Sequence, residues 1–88
     1  MERTLVIVNK LGLHARAATK LVTLAAMFKS DIRIRKDARE VSGKSIMGVL
    51  MLAAARGSRI TVIAKGSDAQ QALDRIEALV AGRFGEDA

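Results

Sequence analysis

The sequence predicts an α+β fold: an open-faced sandwich in which a four-stranded antiparallel sheet carries three helices on one face. Three observations predict it. Segments with strand character and segments with helical spacing follow one another as strand, helix, strand, strand, helix, strand, helix. Glycines and polar residues punctuate the joints between them. The chain has 88 residues, half of them hydrophobic and none of them proline, which suits one domain with a modest core spanning residues 1–88.

Each element has its own warrant. Thr4 to Val8 is rich in β-branched residues and reads as a strand. Asn9 to Leu13 contains Gly12 and reads as a turn. From about Ala15 to Phe28, the residues Ala18, Leu21, Val22, Ala25 and Phe28 recur at helical spacing and form a core face. Asp31 to Lys36 alternates Ile32 and Ile34 with Arg33 and Arg35, the pattern of a half-buried strand. Asp37-Ala38 turns the chain into a second short strand, Arg39 to Ser42. A helix from Ile46 to about Ala54 then carries the stripe Ile46, Val49, Leu50 and Ala53, with Gly57 placed to stop it. Arg59 to Ala64 is the fourth strand. Ser67 and Gln70 have capping-box spacing, so the last helix starts at Asp68. It buries Ala69, Ala72, Leu73, Ile76, Leu79 and Val80, and Gly82 and Gly85 mark its end.

Composition narrows the chemistry. Cysteine is absent, which excludes disulfides and thiolate metal sites and fits the cytoplasm. With a single histidine besides, no typical zinc site can form, and neither a metal nor another cofactor is expected. Gly43-Lys44-Ser45 resembles the end of a phosphate-binding P-loop, but its first glycine would fall at Ala38. The run Leu5-Val6-Ile7-Val8 is too brief for a secretory signal core. The longest apolar stretch, Ile46 to Ala55, is about half the roughly 20 residues a bilayer needs, so no membrane insertion is expected.

The net charge is +6, and no acidic residue occurs from Arg3 to Ser30 or from Val41 to Ser67. Both segments should build a positive surface that attracts anions or acidic partners. Nucleic acid is one such partner. Against it stand two phenylalanines without tyrosine or tryptophan, whereas single-strand binders stack bases on aromatic rings. A protein partner is the expectation.

His14 stands between the turn glycine and the first helical residue. The first turn of a helix has backbone N–H groups without internal acceptors, and its dipole favours anions. A phosphoryl group on His14 could be cradled by the N–H groups of Ala15, Arg16 and Ala17. The Arg16 guanidinium suits phosphate oxygens. A surface or capping histidine is the plainer reading, and the residues alone leave the two near balance. Ser45 is placed as the N-cap of the second helix, and a phosphoryl group there would alter the charge of a nearby surface. Met47, Met51 and Ala54 lie opposite the core stripe, where they form a docking patch or are covered by a neighbouring loop. Ala17, Lys20, Leu24 and Met27 of the first helix would extend the patch, rimmed by Arg16 and Lys20.

Two segments carry a resemblance. Asn9-Lys10-Leu11-Gly12-Leu13-His14-Ala15-Arg16-Ala17-Ala18 resembles the active-site segment of HPr, the histidine-containing phosphocarrier of the phosphoenolpyruvate-dependent phosphotransferase system. Lys44-Ser45-Ile46-Met47-Gly48-Val49-Leu50 resembles its regulatory-serine segment. The resemblance implies phosphorylation of His14 through Nδ1, with Arg16 steadying the group. It implies Enzyme I as donor, an Enzyme IIA component as acceptor and, where the host has one, an HPr kinase/phosphorylase acting on Ser45. It further implies docking through the helix that carries Met47, Leu50 and Met51, and the monomer is the expected state. Such a chain is a phosphocarrier intermediate rather than a stand-alone enzyme. Ala17 replaces the proline the family usually has after the active-site arginine, and alanine also fits a first helical turn. Leu11, Ala17-Ala18 and the tail Arg83-Phe84-Gly85-Glu86 look more like proteobacterial HPr and the nitrogen-related NPr branch, so both a sugar and a regulatory output stay open.

Overall fold

The computed structural model describes residues 1–88. Strand β1 (Glu2–Val6) is followed by α1 (Ala15–Ala25), β2 (Asp31–Lys36), β3 (Arg39–Ser42), α2 (Ile46–Met51), β4 (Arg59–Lys65) and α3 (Ala69–Ala81). A short 3₁₀ turn, Arg83–Gly85, closes the chain. The strands form one sheet in the order β1-β4-β2-β3, every neighbouring pair antiparallel. The helices cover one face, giving the expected open-faced sandwich.

Alternation decides which face is covered. Leu5, Ile32, Ile34, Ile60, Val62 and Ala64 point inward and are buried. They meet Ala18, Leu21 and Ala25 of α1 and Ala72, Leu73, Ile76 and Val80 of α3 in one core. The opposite face is mainly polar and charged, with Val6 and Ile63 among its apolar residues. There Thr4 and Thr61 pair in register with their hydroxyls 3.1 Å apart, and Arg33 meets Glu40 at 3.4 Å.

Element boundaries depart from expectation where tertiary contacts intervene. β1 begins at Glu2 because Glu2 pairs with Ile63 and the terminal ammonium donates to the Ala64 carbonyl at 3.0 Å. α1 stops at Ala25, short of Phe28. Its end tightens, with the N–H groups of Met27 and Phe28 donating to Leu24 and Ala25. Val22 and Phe28 are half-buried, and Ala17 joins the core instead.

α2 is only six residues long and buries a single position, Val49. Ile46 and Ala53 are exposed and Leu50 is half-buried, so the expected stripe is not realised. Gly57 does not stop this helix. The Arg39 guanidinium takes the Met51 carbonyl at 3.1 Å, and Ala53 turns the chain at φ 49°. Leu52 and Ala54 then face inward, which removes Ala54 from the expected exposed patch. Gly57 instead extends the β1 edge, donating its N–H to the Ile7 carbonyl at 2.7 Å.

The capping box of α3 is also absent. The N-cap is Asp68, not Ser67, and its side chain does not cap its own helix. The Asp68 carboxylate accepts from the backbone N–H groups of Lys29 (2.8 Å) and Ser30 (3.0 Å) and from the Ser30 hydroxyl. It thereby ties the start of α3 to the turn between α1 and β2. Along α3 the expected core positions are buried, with Leu79 half-buried.

Candidate functional site

The loop before α1 is built to hold one residue in place. Gly12 adopts φ +67°, and a Cβ there would lie 2.5 Å from the Ala54 carbonyl oxygen. Only glycine permits that turn against that backbone. The next N–H, that of Leu13, donates to the same Ala54 carbonyl at 2.9 Å. The Asn9 amide closes the turn from inside by donating to the Gly12 carbonyl at 2.8 Å. Buried Leu13 anchors the approach to the helix.

His14 comes next, as the N-cap of α1 in extended backbone geometry, with its side chain about one quarter exposed. The first helical bond runs from the Ala18 N–H to the His14 carbonyl at 2.8 Å. The N–H groups of Ala15, Arg16 and Ala17 therefore precede the ladder and point out of the helix end. Arg16 and Ala15 are exposed and line a shallow concavity with His14, Lys10, Leu11, Glu86 and Ala88. The expected cluster of His14, Ala15 and Arg16 is thus brought together. Ala17 contributes through its backbone alone, because its side chain is fully buried, and it is not part of an exposed docking patch.

The C-terminal tail completes this site, and no local sequence pattern announces it. Glu86 Oε2 is hydrogen-bonded to His14 Nε2. Its other oxygen, Oε1, accepts from the Asn9 amide at 3.0 Å. The Asn9 amide holds the Glu86 carboxyl below its ordinary value, with the His14 bond adding to the effect. In the sequence Asn9 and Glu86 fall in the segments that carry the resemblance, but neither is given a role at the site. Glu86 lies 72 positions from His14, so no spacing rule can join them.

Ser45 is the N-cap of α2, and its hydroxyl accepts from the Gly48 N–H at 3.1 Å. Lys44 beside it reaches back to the Phe28 carbonyl at 2.8 Å, tying the approach to α2 to the turn after α1. Met27, Met47 and Met51 are largely exposed, at 67%, 69% and 58%. Leu24 and Leu50 are half-buried and pack on the core. The Lys20 ammonium donates to the Phe84 carbonyl at 2.6 Å, so this residue anchors the tail. No group of three histidine, cysteine, aspartate or glutamate side chains could hold a metal ion. No helix is long and apolar enough to cross a membrane.

This arrangement offers a partly exposed imidazole at the positive end of a helix, a free guanidinium beside it, and no enclosed cleft. It can form a bond to an electrophilic phosphorus and hold the resulting anion. Known proteins resemble this chain in sequence and fold. A family model described as the PTS HPr component phosphorylation site matches residues 1–82. The chain is 51% identical to the phosphocarrier protein HPr of Cupriavidus necator, over 98% of this chain and 97% of that one. It is 50% identical to the phosphocarrier protein NPr of Shewanella violacea, over 98% and 94%. The crystal structure of HPr-C-His from Thermoanaerobacter tengcongensis superposes with a TM-score of 0.96 at 39% identity, covering 100% of this chain and 99% of that one.

Proposed function

The chain belongs to the HPr family of histidine phosphocarriers of the phosphotransferase system, and from that premise we propose that His14 is the residue that carries the phosphoryl group. The single observation that carries this reading is the placement of His14 as the partly exposed N-cap of α1, ahead of helix N–H groups that precede the ladder. Arg16 supplies the guanidinium for the phosphoryl oxygens, and the Ala15, Arg16 and Ala17 N–H groups supply the cradle. Phospho-Enzyme I is the donor and an Enzyme IIA component the acceptor. The 88 residues work as one cytoplasmic domain and as a monomer, without a cofactor and without binding nucleic acid.

Docking uses Met27, Met47 and Met51, with Lys20, Leu24 and Leu50 beneath or beside them. Exposed methionines repack readily against different partners, which suits a carrier that must meet a donor and an acceptor in turn. Ser45 is the regulatory phosphorylation site. Its hydroxyl is committed to the α2 cap, so a phosphoryl group there would rebuild the start of the docking helix as well as add charge. Near-equal identity to HPr and NPr relatives favours a second reading of the output, in which the acceptor belongs to the regulatory nitrogen branch.

An intact-mass measurement with phosphoenolpyruvate, magnesium and Enzyme I tests the carrier role. The parent is expected to gain one acid-labile phosphoryl group, and His14→Ala none. An adduct that survives in His14→Ala would refute the assignment. Presenting the phosphorylated protein with Enzyme IIA components of each branch then decides between the two outputs.

A further inference from the structure

Resting on the assignment of His14 as the carrier, we infer that Glu86 is a positioning residue for the transfer, its side-chain carboxylate holding the His14 Nε2–H so that the Nδ1 lone pair faces the incoming phosphorus. An ionised carboxylate can only accept hydrogen bonds. Glu86 Oε2 bonded to Nε2 therefore requires that Nε2 donate. A neutral imidazole has one N–H, so Nδ1 is left as the nucleophilic nitrogen.

The carboxylate is itself placed from two sides. Asn9 Nδ2 lies between two acceptors, the Gly12 carbonyl at 2.8 Å and Glu86 Oε1 at 3.0 Å. That fixes which way the amide points, and Asn9 Oδ1 is left buried without a partner. The same amide thus joins the loop before α1 to the Glu86 carboxylate.

The tail conformation points the same way. Arg83, Phe84 and Gly85 have φ of 57°, 54° and 78°, three consecutive left-handed residues of which only the last is glycine. Left-handed geometry is unfavourable for a bulky residue. Complete burial of the Phe84 ring and the Lys20 bond to its carbonyl offset the strain. The turn reverses the chain after α3 and delivers Glu86 to His14.

In the transfer, the Nδ1 lone pair forms the N–P bond while the bond from phosphorus to the donor breaks, its electron pair leaving with the donor. No proton moves. The ring becomes positively charged with Nε2–H retained, and the Glu86 carboxylate stabilises that charge. A carboxylate behind an imidazole orients the ring and stabilises its cation in hydrolase triads too. When the group passes on, the N–P electron pair returns to Nδ1.

The test compares parent, Glu86→Ala and Glu86→Gln by imidazole ¹⁵N spectroscopy and by the time course of phosphorylation. The parent is expected to show Nε2–H with Nδ1 bare. Glu86→Ala should show mixed tautomers and phosphorylate on the order of tenfold more slowly, while reaching the same single-adduct endpoint. Glu86→Gln, whose amide oxygen can still accept the Nε2–H, should keep the tautomer but only part of the rate, having lost the charge. A Glu86→Ala protein with the parent's nitrogen signature, or with the parent's rate, overturns the positioning role. Should Glu86→Ala not fold, a Glu86→Gln protein that phosphorylates at the parent's rate overturns it as well. Failure of the parent to form any adduct strikes the carrier assignment instead.

Discussion

A phosphoryl group on His14 needs a cation within reach of its oxygens, and Arg16 is the exposed guanidinium lining the same concavity. Arg16→Ala is expected to slow adduct formation about tenfold, followed by intact mass. Arg16→Lys should recover only part of that rate, because an ammonium cannot match the oxygens with a planar fork. Ser45 makes a different contribution. Its hydroxyl caps a helix of only six residues, so Ser45→Ala should cost about 1 kcal/mol in urea unfolding. His14, Arg16 and Ser45 are legible in the sequence because each stands at a helix start, a position that local residue types announce. Asn9 and Glu86 are not, since their meeting depends on where the tail returns.

Among the elements, the pin between α3 and the turn from α1 to β2 is electrostatic and therefore responds to pH. The Ser30 hydroxyl holds the Asp68 carboxyl below its ordinary value, and the N–H groups of Lys29 and Ser30 add to it. A carboxylate whose folded pKa is depressed stabilises the fold fully above its unfolded value, near 3.8. That stabilisation is lost as pH falls through the folded pKa. Asp68→Asn should therefore melt lower than the parent at neutral pH, with the gap closing as the pH is taken below about 4 in calorimetry. The loop before α1 is pinned sterically instead. Gly12→Ala places a Cβ against the Ala54 backbone at positive φ, and should cost more than about 2 kcal/mol and slow phosphorylation by moving His14. Hydrophobic spacing makes α1, β2 and α3 legible, yet several boundaries escape it. α2 ends at an arginine from a neighbouring strand, and α3 lends its N-cap side chain to the turn between α1 and β2. Capping preferences describe a helix alone and cannot anticipate a competing partner across the fold.

For the whole molecule, the tail is both core and site. Phe84 is fully buried although the spacing of α3 gives it no place in the core. Phe84→Ala should cost about 3–5 kcal/mol and also loosen Glu86 from His14, so that its phosphorylation slows even where the protein remains folded. The positive charge should draw acidic partner faces, and affinity for Enzyme I is expected to fall steadily with added salt. The order of strands and helices, the buried faces of β2 and α3, and a histidine at a helix start were all determined by the sequence alone. They rest on local chemistry: periodicity selects the element, and alternation selects the face. The tertiary structure alone decided that Ala17 and Ala54 are core, that Asp68 serves the turn between α1 and β2, and that Glu86 stands behind His14. Each of those outcomes depends on residues distant in the chain, which meet only after the sheet has closed and the tail has turned back.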